Sequence, residues 1–430
     1  MFNQQIGLIL DQKGELTIQS RGQLPIDRVL KGKTLTEAEC VIPGLFSLCG
    51  EAHGSAVKLL SGDLIGHQAQ YHLWSVQGEA LREQLLSLLQ WQSWCLLITA
   101  KEQLEAKKWL LSWFNQWKES CHQALSGHLE SISVEGSNIQ PQCAWLELTE
   151  KQKQLLKECQ DWYQQQFSEN FWLECLSKVQ PFDFPEESSE LRRLAAQDSK
   201  PTVKSYDGLE NPLKSKPEYV QSLLHQWLVC YQNYSHLPVT DWPLEQIDQG
   251  LSCRFFTREN SDNIKDKQII KQNFTQLKVS VEQAIQQLLE NNFSEMESHF
   301  SQLEAKVSID KVKVSIDGEQ SSQEQTYRVA QVITARGPLL HFVTLDQNQR
   351  IQNYKILAPT ERNFAEHGVL KRWWALLAKQ GQLRSQQQLE VLALLLDACV
   401  EVDIAEVEIA EIDIEEMVFA ETDSKENRGA

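Results

Sequence analysis

Two residues four positions apart have the chemistry to mark a functional site. They are Cys49 and His53, in the stretch Phe46-Ser47-Leu48-Cys49-Gly50-Glu51-Ala52-His53. The apolar spacing of Ala56, Val57, Leu59 and Leu60 predicts a helix from Ala52 onward, which puts Cys49 at the helix entrance. Free backbone N–H groups and the positive end of the helix dipole favour a thiolate there, and a thiolate is a soft metal ligand. One Cys and one His at this spacing are more often packing residues than ligands. The pair therefore gains weight only from partners elsewhere in the chain.

The elements that must hold such a site read as an α+β chain, predominantly helical. An N-terminal hairpin is predicted from Ile6, Leu8, Leu10, Leu16 and Ile18 alternating around Gln12-Lys13-Gly14. Helices are predicted over residues 77–100, 101–127, 150–179, 218–231, 260–305, 364–379 and 385–399. Trp109, Trp113 and Trp117 share one helix face and read as core, because a cofactor box or stacking platform would need them exposed beside basic residues. A small β region at about 306–357 carries the near-repeat Lys306-Val307-Ser308-Ile309-Asp310 and Lys313-Val314-Ser315-Ile316-Asp317. Residues 1–400 are read as one domain, with a proline-rich surface excursion at 181–217. Residues 401–430 hold eleven acidic and two basic side chains and read as a solvated tail, although the Val/Ile spacing would let it add as a strand or helix to a partner.

The 430 residues, 41% hydrophobic, suffice for a large core. A net charge of -18 argues against nucleic acid or an anionic membrane as partner. The longest apolar runs are too short to cross a bilayer, and no signal peptide is visible, so the cytoplasm is the expected compartment. The ten cysteines include no C-x-x-C, which speaks against a zinc ribbon, a thioredoxin-like motif or a cubane cluster. Cys40, Cys95, Cys121, Cys143, Cys159, Cys175, Cys230 and Cys253 read as free, buried thiols.

Three stretches combine: Phe46 to His53; Ala335-Arg336-Gly337-Pro338-Leu339-Leu340-His341 with Ala358-Pro359-Thr360-Glu361-Arg362-Asn363-Phe364; and Leu396-Asp397-Ala398-Cys399. In this order and at these distances they resemble the active-site segments of nickel–iron hydrogenase large subunits: R-x-C-G-x-C-x-x-x-H, then P-R-G-x-L-x-H with P-T-x-W-N, then D-P-C-x-x-C-x-x-H. The resemblance implies a hydrogenase large-subunit-like fold in which both ends of the chain meet at one site. Residues from about 120 to 300 carry no motif that aligns.

The departures set the expected function. Phe46 stands where the first cysteine of the N-terminal pair would be, Val402 replaces the second of the C-terminal pair, and Ala405 replaces the closing histidine. Cys49 and Cys399 remain as metal ligands. Two thiolates cannot surround nickel, but can hold an iron whose other positions carry carbon monoxide and cyanide. Cys49 corresponds to a bridging ligand and Cys399 to a nickel-only one. By the same resemblance Arg336 lies over the site, and His53 and His341 are histidines that donate to a thiolate. A half-emptied site of this kind resembles the HupK/HoxV-type accessory proteins of hydrogenase maturation. Implied is a non-enzymatic scaffold that parks the iron unit, without nickel, before delivery to the large-subunit precursor, with maturation proteins as partners. A metal-free interaction protein is the alternative; a redox-active hydrogenase subunit is the weaker one.

Overall fold

The computed structural model describes residues 5–11, 13–21, 25–46, 48–62, 66–134, 147–179, 269–290, 300–308, 324–366, 368–379 and 385–406. The expected excursion at 181–217, the helix at 218–231, the second copy of the near-repeat, Cys143, Cys230 and Cys253 lie outside them. The described chain is mostly helical, with two small sheets.

Strands β1 (Gln5–Leu10) and β2 (Leu16–Arg21) form the hairpin. Three helices follow, α1 (Ile26–Leu30), α2 (Leu35–Leu45) and α3 (Gly50–Ser61), and then the long pair α4 (Gly66–Trp94) and α5 (Ala100–Val134). The helix expected over 150–179 is two, α6 (Glu150–Gln166) and α7 (Glu169–Val179), broken where Phe167 turns into the core. Helix α8 (Ile269–Glu290) lies within the helix expected over 260–305, of which 260–268 and 291–299 lie outside the described residues. Phe300–Ala305 belongs to strand β3 (Phe300–Ser308), not to the end of that helix. With β4 (Glu324–Thr334), β5 (Gly337–Leu345) and β6 (Ile351–Leu357) it makes an antiparallel sheet in the order β3-β4-β5-β6. Helices α9 (Pro359–Asn363), α10 (Val369–Lys379) and α11 (Gln386–Leu396) lead to β7 (Glu401–Glu406).

Strand β7 corrects the reading of the tail. It pairs in parallel with β1, Ile6 opposite Val402 and Leu8 opposite Ile404, and both residues of β7 pack on the core. Alternation buries one face of each strand, so the Val/Ile spacing that looked like a solvated acidic run completes a three-stranded sheet, β2-β1-β7. The acidic side chains Glu401 and Asp403 take the alternate positions.

Two apolar cores result. One joins the hairpin to α4–α8, α10 and α11, and includes Trp113 and Trp117. These indoles donate to the carbonyls of Leu155 (2.8 Å) and Trp74 (3.0 Å), and the half-buried Trp109 stacks on Trp162, so the tryptophan face is core. The other core packs α1, α2 and α3 on β4, β5 and β6. Helix α4 carries both: Val76 faces the second core and Leu81, Leu85 and Leu88 the first. Residues of the three sequence stretches, Cys49, Arg336, Thr360 and Cys399 among them, gather at this seam.

Candidate metal centre

Each end of the chain delivers one sulfur to the seam. Cys49 is the N-cap of α3, in the bend after Phe46. Gly50 permits that approach, since a Cβ there would meet the Pro43 carbonyl oxygen at 2.9 Å. Cys399 lies between α11 and β7. Ser385 starts α11 with a capping box, and Asp397 ends it in the left-handed region (φ 48°), which short polar residues tolerate. The pairing of β7 with β1 then fixes residue 399 from the other side.

The Cys49 and Cys399 side chains line the same pocket, and each thiol shifts the acidity of the other. The two are free cysteines, partly buried as residues. Their acidities move apart. Cys49 is held well above the ordinary thiol value because it donates to Cys399, is buried, and faces the negative charges of Cys399, Glu79 and Glu83. Cys399 is pulled down to about 6 by the S–H it accepts, by Arg336 and by the Thr360 hydroxyl (3.1 Å), against the effect of burial. Thr360 also accepts the Cys399 backbone N–H at 3.1 Å.

This reverses the expected thiolate. The helix-entrance argument assumed free N–H groups at the start of α3. Instead the buried Glu79 carboxyl group accepts from Glu51 N (2.8 Å) and Ala52 N (3.0 Å), so those N–H groups are already engaged. Burial raises Glu79 to about 8, against the attraction of Arg82.

Arg336 comes from the two-residue turn between β4 and β5. Thr334 Oγ1 donates to the Gly337 carbonyl (2.7 Å), and Gly337 has φ 121°, open only to glycine. The guanidinium points inward and is 7% exposed. Its Nη2 lies 2.8 Å from Glu83 Oε2 and its Nε 3.2 Å from Asp397 Oδ2, with a further bond from Nε to the Asp397 carbonyl. Asp397, Glu83, Cys399 and their hydrogen bonds outweigh the cost of burial and hold Arg336 protonated. Arg82 pairs with the other Glu83 oxygen and donates to the Leu48 carbonyl just before Cys49, its guanidinium 4.2 Å over the Phe114 ring.

The histidines differ from expectation. His53 lines the pocket, but its Nδ1 bonds His341 Nε2 (2.9 Å), and His341 Nδ1 bonds the Tyr354 hydroxyl (2.6 Å). His341 does not line the pocket, and both of its ring nitrogens are engaged away from the sulfurs. Burial depresses both, His53 to about 3, so they are neutral. Phe46, where a thiolate would complete the pair, instead stacks on His53 with centroids 3.7 Å apart.

The pocket is lined by Cys49, His53, Glu79, Glu83, Arg336, Thr360 and Cys399, with apolar walls from Val76, Leu339 and Pro359. Among the described residues no group of three or more His, Cys, Asp or Glu is arranged to hold a metal ion. The donor set is two thiols beside a fixed guanidinium, which fits a metal that brings most of its own ligands and not one needing four from the protein. The open space is small, enough for one or two waters.

Glu79, Arg82 and Glu83 were missed by motif reasoning, although their i, i+3, i+4 spacing on a face otherwise buried was a signal. Asp397 and Thr360 stand inside the stretches noticed, but only the fold shows what they bind.

No protein-family model matches this chain, and no curated protein matches it in sequence. Among solved structures it is similar to a chain of an NAD+-reducing NiFe-hydrogenase in the H2-reduced state, with 14% identity and a TM-score of 0.48 over 91% of this chain and 94% of that one. The likeness is a coarse one of overall fold. Among the described residues no helix is long and apolar enough to cross a membrane.

Proposed function

We propose that this protein is a cytoplasmic accessory factor in nickel–iron hydrogenase maturation, a non-enzymatic scaffold that holds an iron unit with its cyanide and carbon monoxide ligands between Cys49 and Cys399 and passes it to the large-subunit precursor. One observation carries the reading. Two thiols 350 residues apart line one pocket beside a buried arginine, positioned by the β1–β7 pairing and the β4–β5 turn. A merely degenerate interior would have no reason to keep that trio.

In this reading Cys399, already inclined to ionise, supplies the first sulfur, and Cys49 follows on losing its proton. Arg336 offsets the added negative charge, and Thr360 orients the Cys399 sulfur. Cargo arriving with its diatomic ligands needs few protein donors, in keeping with two sulfurs and no nickel. The small volume of the empty pocket requires opening on loading, in keeping with a carrier that must also let go.

The test is protein purified without oxygen from cells that make the hydrogenase maturation machinery. Iron content and infrared bands of bound carbon monoxide and cyanide are expected in the parent and absent from a folded Cys49→Ser or Cys399→Ser variant. Parent protein without iron or bands, yet bound to maturation proteins, would establish the metal-free interaction protein instead.

A further inference from the structure

His53, His341 and Tyr354 form a hydrogen-bonded chain behind the pocket, one residue from each of α3, β5 and β6. His53 Nδ1 lies 2.9 Å from His341 Nε2, and His341 Nδ1 lies 2.6 Å from the Tyr354 hydroxyl. All three side chains are buried, and of the three only His53 lines the pocket. Each imidazole is neutral, so each carries one ring proton and offers one lone pair.

A single proton fits between the two facing nitrogens, so the chain runs in one of two directions. If His53 donates, His341 accepts at Nε2 and must donate from Nδ1 to the tyrosine oxygen. The phenolic hydrogen is then left in the second apolar core, where among the described residues His341 is the sole hydrogen-bond partner of that hydroxyl. A buried donor without an acceptor has given up its hydration for nothing. If Tyr354 donates instead, His341 accepts at Nδ1 and donates from Nε2 to His53 Nδ1, and every group along the chain is satisfied. Burial selects this second direction.

The consequence falls on the last ring. With Nδ1 acting as an acceptor, the proton of His53 sits on Nε2, which has no hydrogen-bond partner among the described residues. Phe46 lies flat against the ring, 6° from parallel with centroids 3.7 Å apart, and holds its plane.

We propose that Tyr354 is a positioning residue: acting through His341, it holds His53 as an Nε2–H donor on the pocket wall, so that His53 recognises a lone pair on an anionic guest and does not ligate a metal. A ring nitrogen that carries a proton has no lone pair to give. The direction of the chain therefore separates a hydrogen-bond donor from a third ligand beside Cys49 and Cys399. Use of that donor by an iron-bound cyanide rests on the function proposed above, whereas the direction of the chain does not.

The test is made on the metal-free full-length protein, by ring-nitrogen NMR of isotope-labelled histidine. Chemical shifts and one-bond N–H correlations distinguish protonated from unprotonated nitrogens, and spectra of His53→Gln and His341→Gln assign the signals. The parent should show both His53 and His341 protonated at Nε2 and unprotonated at Nδ1. Tyr354→Met supplies an acceptor and no donor, so it should reverse the chain and move the proton of both rings to Nδ1. Protonation of His53 at Nδ1 in the parent overturns the proposal, and so does a Tyr354→Met variant, folded by circular dichroism, whose tautomers match those of the parent. Neither outcome depends on iron, so a protein that carries none would sink the scaffold reading and leave this one standing.

Discussion

Replacing Arg336 by Leu removes the one cation that bridges Glu83 and Asp397 at 2.8 and 3.2 Å. Each contact at about 3 Å is worth roughly 5 kcal/mol at an effective dielectric constant near 20, before desolvation is subtracted. Breaking a buried pair by deleting one partner costs about 3–5 kcal/mol net, because Asp397 loses the guanidinium and Glu83 is left with Arg82 alone of its two arginines. Arg336→Lys keeps the charge but cannot fork to both carboxylates, and should cost about 1–2 kcal/mol. Urea unfolding followed by tryptophan fluorescence reads this directly. With a denaturant slope of about 3 kcal/mol/M, the Leu variant should unfold about 1 M earlier. Adding Glu83→Gln and Asp397→Asn to Arg336→Leu should recover much of the loss, since the neutral amides no longer need the cation. A midpoint within about 0.3 M of the parent would refute the argument and show the guanidinium to be solvated. Because Arg336 is buried, Arg336→Leu should also lower the amount of folded protein, and Arg336→Lys is the variant that separates function from folding.

Alkylation with iodoacetamide at pH 7, mapped by mass spectrometry, should label Cys399 before Cys49. Its rate should rise with pH through about 6, and Cys49→Ala should move that midpoint upward by removing the S–H donor; first labelling at Cys49 would contradict the assignment. The fold holds His53 neutral down to about 3 while the unfolded chain protonates near 6.5, so its contribution to stability is intact above about 6.5 and falls by about 1.4 kcal/mol per pH unit below it. Acid unfolding of His53→Gln should therefore be less steep over pH 3–6 than that of the parent. Val402→Asp puts a charge on the core face of β7 and should lower stability by about 2–4 kcal/mol, with Cys399 alkylation no longer sensitive to Cys49→Ala because the strand that fixes residue 399 has let go.

Much of the local structure was legible without coordinates. Alternation marked the hairpin and the spacing of Trp109, Trp113 and Trp117 marked a packing face, while the resemblance to hydrogenase large subunits singled out Cys49, Arg336 and Cys399, which line one pocket. Local backbone preference and hydrophobic period suffice for such features because neighbours in sequence determine them. The expectation that Cys40 is buried fails, since it is exposed on α2. A single thiol on a short amphipathic helix carries no period of its own to say which way it faces.

The amino-acid sequence by itself determined which residues have chemistry, but left the parallel strand at Glu401–Glu406 inside an acidic run read as a solvated tail. It did not determine which thiol ionises. That depended on Glu79 reaching from α4 to the start of α3, and on Arg336 and Thr360 arriving from the β4–β5 turn and α9 to stand beside Cys399. Nor could it show that His53 and His341 bond each other. Acidity is set by charges and donors within a few ångströms, and those come from segments tens to hundreds of residues away, so only the tertiary structure decides it.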